Sequence, residues 1–260
     1  MSAALTGLHR VRVVLVRPSH PGNIGSAARA MLTMGLAQLH LVKPERFPDA
    51  EARALAAHAG AVLDAACVHD CLETALAGTS VQFAFSVRSR SLSHPPQDVR
   101  QAAAAAIQAT AGGQVALVFG NETYGLSNEE VLQCNRLACI PTDPVSSSLN
   151  LAAAVQVAAY ELRMAALELD SHKPLIGGAL AVRDLASHED MERLFVHLEQ
   201  SIVTSGFLQL DNPRRLMERI RRLFGRSGLD REEVNILRGM LTAWDTGPYS
   251  GHGKPGKGQS

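Results

Sequence analysis

The stretch Asp143-Pro-Val-Ser-Ser-Ser-Leu-Asn-Leu-Ala-Ala-Ala-Val155 decides how this chain is read. A polar turn carrying Ser146, Ser147 and Ser148 runs straight into an apolar segment, so one of these serines is expected to cap the first backbone N–H groups of a helix. Just upstream, Leu137-Ala-Cys-Ile140 ends at Pro141 and reads as a buried strand halted where the polar loop begins. Strand, hydroxyl-rich loop and helix N-terminus in that order make a place to hold a small polar ligand. The plainer alternative is a capped helix with surplus serines.

Working outward, short runs rich in Val, Leu and Phe recur at Val11–Val16, Leu39–Val42, Val81–Val87, Val115–Phe119 and Leu137–Ile140. Between them lie helical segments at Ile24–Met34, Ala50–Ala57, His69–Ala77, Asp98–Thr110 and Asn128–Gln133. Alternating buried strands and helices predict an α/β domain with a mostly parallel sheet. The helix that follows the serines, about Leu149–Glu168, is apolar on most sides and is expected to be buried in the sheet packing or in a subunit interface.

Leu169–Ala186, with Pro174, Gly177 and Gly178, reads as a linker, and only helical signals follow it. Ser187 can cap a helix to about Val203. Asn212-Pro213 opens a second helix with Gly225 as its stop, and Asp230 with Glu233 resembles a capping box for a third to about Ala243. The expected division is an α/β domain over residues 1–168, a linker over 169–186, a helical module over 187–245 and a disordered Gly-rich tail over 246–260.

Composition narrows the classes. With 260 residues, 46% hydrophobic, the chain supports one sizeable core plus a helical appendage. Lys+Arg and Asp+Glu both number 25, so any electrostatic site must be local. No segment is expected to span a membrane, because Gln156, Glu161 and Arg163 interrupt the longest apolar stretch. Four cysteines and no continuous signal-peptide core predict a cytoplasmic protein with reduced thiols.

Three further stretches could carry chemistry. After the first strand comes Arg17-Pro-Ser-His-Pro-Gly22-Asn23-Ile-Gly25-Ser-Ala-Ala-Arg29, where two glycines permit close approach, Asn23 can cap, and Arg29 shares a helical face with Gly25. A guanidinium held there could grip a phosphate in two-pronged fashion or simply extend to solvent. Phe85-Ser86-Val87-Arg88-Ser89-Arg90 lies at a strand's carboxyl end, where ligands bind in open α/β sheets. In Val118-Phe119-Gly120-Asn121-Glu122, Gly120 permits close contact and Glu122 adds one carboxylate, a weak signal alone. The dinucleotide fingerprint, the phosphate-loop motif and the serine nucleophile elbow are all missing from the strand-to-helix turns. Cys67-Val-His69-Asp-Cys71 lacks a second ligand pair, so buried structural cysteines are expected and no metal. In the C-terminal segment Leu216, Ile220 and Leu223 form one face while Arg215, Arg219, Arg222 and Arg226 follow another, a stripe suited to phosphate contact or to plain solvation.

Taken in order, Asn23-x-Gly25 with Arg29, Phe119-Gly120-Asn121-Glu122, and Ile140-Pro141 followed by Ser147-Ser148-Leu149-Asn150 resemble the three motifs of the SPOUT RNA 2'-O-ribose methyltransferases. The Ser-Val-Arg-Ser-Arg run ending at Arg90, with Asn212-Pro-Arg-Arg-Leu-Met and Glu233-Val-Asn-Ile-Leu-Arg-Gly239, is similar to a tRNA-specific branch of that family. The likeness runs from about Val11 to Thr242. It implies a trefoil-knotted α/β domain with a parallel sheet, a small C-terminal all-helical module, an obligate homodimer, and S-adenosylmethionine bound bent in the knot. The implied reaction is 2'-O-methylation of nucleotide 32, cytidine or uridine, in the tRNA anticodon loop. Another tRNA position, ribosomal RNA, or a catalytically silent RNA-binding role are the alternatives. By position, Phe85, Ser86, Val87, Gly120, Ile140, Ser147, Ser148 and Leu149 match the cofactor loops. Arg29 matches the first-motif arginine, Ser148 and Asn150 the third-motif polar pair, and Arg90 the second arginine of its loop. The resemblance thus implies a catalytic set of Arg29, Ser148, Asn150 and Arg90, with Arg29 and Arg90 also on the RNA, and the charge pattern adds Arg215, Arg219, Arg222 and Arg226 as expected contacts to the tRNA backbone.

Overall fold

Val11–Val16, buried at every position, is β1 and lies in the interior of a sheet whose other strands are β2 (Gln38–Val42), β3 (Cys67–His69), β4 (Thr79–Phe85), β5 (Gln97–Asp98), β6 (Gln114–Phe119) and β7 (Arg136–Cys139). The computed structural model describes residues 5–86, 96–171, 185–208 and 215–246. All the paired strands run parallel, in the order β3-β2-β1-β6-β4-β7-β5. Strands buried on both faces need helices on both, which is why these sequences show continuous apolar runs in place of alternation.

On one face pack α1 (Pro21–Met34), α2 (Ala50–Ala56), the short α3 (Gly60–Asp64), α5 (Val99–Ala109) and α7 (Leu151–Ser171), closing the larger core around Leu15, Ile24, Met31, Leu117 and Leu162. On the other face α4 (Leu72–Leu76) and α6 (Asn128–Leu132) cover Val14, Val16, Ala84 and Val118. Pro21 at the first position of α1 sets φ for the helix, and Gly35 at φ +89° ends it. A Cβ on Gly25 would lie 2.1 Å from the carbonyl oxygen of Ala52, so this glycine is what lets α1 lie directly against α2.

Several expectations are corrected. His69 belongs to β3, and the helix after it is only Leu72–Leu76. Asn23 lies inside α1 and does not cap it. Cys67 and Cys71 are exposed, while Cys134 is buried with its thiol pushed up by desolvation. In the sheet β7 lies between β4 and β5, which are consecutive along the chain. Residues 87–95, with Val87 and Arg90 among them, lie outside the described residues, and the expected knot is not traced.

Beyond α7, residues 172–184 are not described, and the chain resumes in a helical module: α8 (His188–Thr204), α9 (Leu216–Ser227) and α10 (Arg231–Asp245). Ser187 caps α8 as expected and, with Asp190, completes a reciprocal capping box, while Asp230 and Glu233 form the box expected of them. The Asn212-Pro213 pair and the tail from residue 247 lie outside the described residues. Gly225 does not stop α9, which runs through it to Ser227 and ends at Gly228, φ +59°. Leu194, Val234 and Leu241 make the module's own small core.

The module docks against the N-terminal ends of the strands. Glu189 accepts the Gly78 N–H at 2.9 Å through each carboxylate oxygen. Arg221 pairs with Glu192 and lies 4.6 Å over the Phe195 ring. The seam encloses a cavity of about 400 Å³, and among the residues around it Gln97 Oε1, Gln133 Oε1 and His188 Nε2 are buried without hydrogen-bond partners. Near the seam, on β1, Arg12 is buried and donates to the carbonyls of Ala75 and Ala77 and to Gln114 Oε1. Burial lowers its pKa, and Cys67 and then Glu189 pull it back.

Candidate active site

Four loops leave the carboxyl ends of β1, β4, β6 and β7, and the structure ties three of them together by hydrogen bonds. Glu122, just after β6, accepts from Ser19 N (3.0 Å), Ser19 Oγ (2.9 Å) and Asn23 Nδ2 (2.8 Å), with His20 N at 3.3 Å. The Asn23 amide oxygen accepts in turn from Asn150 Nδ2 at 2.8 Å. Residues about a hundred apart along the chain thus meet in one relay, Glu122 to Asn23 to Asn150. Burial disfavours the Glu122 carboxylate, yet the Asn23 and Ser19 donors outweigh that penalty and hold its pKa below the usual range.

The relay also explains the helix start. Asn150 Oδ1 accepts from Ala152 N (2.9 Å) and Ala153 N (3.3 Å), so the N-cap of α7 is Asn150 and none of the serines expected to fill that role. One side chain therefore fixes the helix end and, through its nitrogen, the first loop. With the cap taken, Ser147 and Ser148 stay exposed at the cavity wall.

That cavity, of about 410 Å³, is walled by Phe85, Ser86, Gly120, Ile140, Ser147, Ser148 and Leu149, together with the 121–126 turn. The Phe85 and Phe119 rings stack at 4.5 Å between centroids beneath it. Gly120 is obligatory, since a Cβ there would lie 2.2 Å from the backbone of Gly125 and of Leu126. The turn is self-closed: Gly125 N donates to Asn121 O at 2.8 Å, and Asn121 Nδ2 reaches the Arg17 carbonyl at 2.8 Å. An apolar slot with aromatic and aliphatic walls at one side and hydroxyls at the other fits a nucleoside bearing a polar chain.

Arg29 is not brought to this cavity. It sits exposed more than two turns into α1 and makes no ion pair among the described residues. Of the arginine stripe, Arg215 precedes α9 in a left-handed conformation and pairs with Glu218, while Arg219 and Arg226 are exposed and Arg222 is half-buried. The apolar face of α9 is only partly covered, with Leu223 exposed. Glu122 was undervalued by sequence reading. Its signal was adjacency to Gly120 at a strand end, but the donors that define it come from a distant loop. No helix among the described residues is long and apolar enough to cross a membrane.

Residues 10–160 match the SpoU rRNA Methylase family, and residues 189–252 match the tRNA methyltransferase TrmJ, C-terminal domain. A tRNA (cytidine/uridine/adenosine-2'-O-)-methyltransferase TrmJ of Pseudomonas aeruginosa is 48% identical over 240 residues, covering 90% of this chain and 93% of the relative. A tRNA (cytidine/uridine-2'-O-)-methyltransferase TrmJ of Sodalis glossinidius is 45% identical over 255 residues, covering 95% and 99%. The crystal structure of TrmJ from Z. mobilis superposes with a TM-score of 0.76 at 32% identity, covering 89% of this chain and 97% of that one. Through both parts of its length, the chain belongs to the TrmJ tRNA 2'-O-methyltransferases of the SpoU methylase family.

Proposed function

We propose that this protein methylates the ribose 2'-hydroxyl of nucleotide 32 in the tRNA anticodon loop, working in the cytoplasm as a homodimer with S-adenosylmethionine as methyl donor. The observation that carries the reading is the Glu122–Asn23–Asn150 relay beside the Gly120 cavity. When bound, S-adenosylmethionine supplies an electrophilic methyl group. Phe85, Ser86, Val87, Gly120, Ile140, Ser147, Ser148 and Leu149 would hold it. Displacement at that methyl needs little covalent help, so the protein's task is positioning. Ser148 and Asn150 order the reacting groups, and Arg29 and Arg90 hold the phosphate next to the target ribose. Arg215, Arg219, Arg222 and Arg226 carry the tRNA backbone, so neutralising Arg219 and Arg226 should flatten the salt dependence of binding by about one counterion each.

The dimer is supported by an apolar strip on α7, where Tyr160, Met164 and Leu167 share a face and are exposed, and by Leu32 beside Arg29 on α1. Pairing through that strip would let Arg29 of one protomer serve the cavity of the other. Mixing inactive Arg29→Ala and Asn150→Ala proteins tests this, since a shared site regains up to about a quarter of the activity through mixed dimers. Mapping 2'-O-methyl groups in tRNA incubated with the protein and methyl donor tests the reaction. Methylation elsewhere corrects the position, and donor binding without transfer rejects catalysis.

A further inference from the structure

Methylating a ribose hydroxyl leaves one proton to be placed, and the groups at the relay are poor acceptors. The Glu122 oxygens are occupied by the donors of Ser19, His20 and Asn23, and its carboxylate is held in the weakly basic range. Asn23 and Asn150 offer amides, Ser147 and Ser148 hydroxyls, and a guanidinium stays protonated. One imidazole is built into the junction. His20 is the N-cap residue of α1, follows Ser19 directly, and is pinned by its backbone N–H to Glu122 Oε1. Its side chain makes no cap hydrogen bond, and the residue is exposed. The ring has no hydrogen bond or ion pair among the described residues. The ionisable groups around it are Glu122 on the loop after β6, Glu51 on α2 near Gly22, and Glu45, whose backbone N–H meets Pro18 O. Arg17 is already paired with Glu130.

We propose that His20 is the proton acceptor for the reacting 2'-hydroxyl, with Glu122 holding its backbone in place. This rests on the 2'-O-methyltransferase reading above. In the step, the 2'-oxygen gains the methyl carbon, the electron pair of the broken carbon–sulfur bond goes to sulfur, and the O–H proton passes to a ring nitrogen of His20. The exposed ring then releases that proton to solvent. An imidazole suits the task because its ordinary titration lies close to working pH, where a general base contributes about 10²–10⁴-fold.

The test is single-turnover methylation of tRNA by the wild type, His20→Ala and His20→Gln from about pH 5.5 to 9. The wild type should show a rate that rises through the imidazole range. Both variants should lose that rise and run about 100-fold slower at neutral pH, with tRNA affinity unchanged and His20→Ala partly rescued by added imidazole. A variant within about threefold of wild type, or one that keeps the rise, overturns the proposal. Independently of turnover, the His20 ring resonances should shift in their titration when tRNA binds without donor, and indifference to tRNA also overturns it. If the wild type transfers no methyl group to tRNA, the functional reading fails first, and the two failures are distinct.

Discussion

Two cavities of nearly equal size lie at opposite ends of the same sheet, about 410 Å³ at the carboxyl ends of the strands and about 400 Å³ at the seam with the helical module. They are built differently. At the first, the Glu122, Asn23 and Asn150 side chains are matched donor to acceptor, and none of the buried unpartnered atoms among the described residues belongs to a wall residue. At the second, Gln97 Oε1, Gln133 Oε1 and His188 Nε2 go unpartnered, and the tie across is the Glu189 carboxylate on the Gly78 backbone N–H. Satisfied networks are rigid, and partly satisfied ones are where a structure gives way first. The difference teaches that the carboxyl-end cavity is framed by matched side chains, while the seam leaves polar atoms unmatched and is the place where the structure is expected to yield first.

That contrast can be broken or sharpened by experiment. The largest effect is expected at Gly120→Ala, where the new Cβ meets the Gly125–Leu126 peptide at 2.2 Å. The turn must move, and calorimetry should show methyl-donor affinity falling by about 100-fold or more, in line with the cost of misplacing a binding group by about 1 Å. Retained affinity would mean the frame is not rigid. Next comes Glu122→Gln, which puts an N–H where Ser19 or Asn23 donates. Turnover should drop about 100-fold while the circular dichroism spectrum is kept. Glu189→Ala should cost about 1 kcal/mol in thermal melting and loosen the seam to proteolysis, without changing donor affinity. The smallest effect is expected at Gln133→Met, which removes an unpartnered oxygen and should be neutral or stabilising by up to about 1 kcal/mol. A clear loss there would show that the seam is better satisfied than its contacts indicate.

A pH prediction belongs to the same side of the sheet as the seam. His40 and His69 stack, with Nδ1 of one 2.8 Å from Nε2 of the other. Burial, then Arg12 and His69, lowers the His40 pKa to about 4, and burial followed by Arg12 lowers that of His69. Each is a base whose folded pKa lies below its unfolded value of 6.5. Its stabilising contribution is therefore complete above pH 6.5 and is lost as pH falls toward about 4. Denaturant melts should show stability falling over that window, and His40→Gln should flatten part of the slope.

Much of the fold was legible because strands buried on both faces read as unbroken apolar runs, and β1 was placed to the residue. The cap at Ser187 and the capping box of Asp230 with Glu233 were legible because the partners sit within four residues. β3, β5 and α3 are too short to show a period, with two to five residues each. At the start of α7 the three serines drew attention from Asn150, which belongs to the same capping class and won because it also reaches Asn23. The cavity walls were named from motif order, but the role of Glu122 could not be, since a carboxylate acquires its meaning from the loop that folds over it.

Arg12 carries one last implication. It is a cation held among carbonyls with no carboxylate bonded to it among the described residues, and after Cys67 it is the module's Glu189 that favours its charge. Cutting the protein between its two parts would strand that charge. The methyltransferase half made alone should melt earlier and depend more on added salt than it does with its helical companion in place.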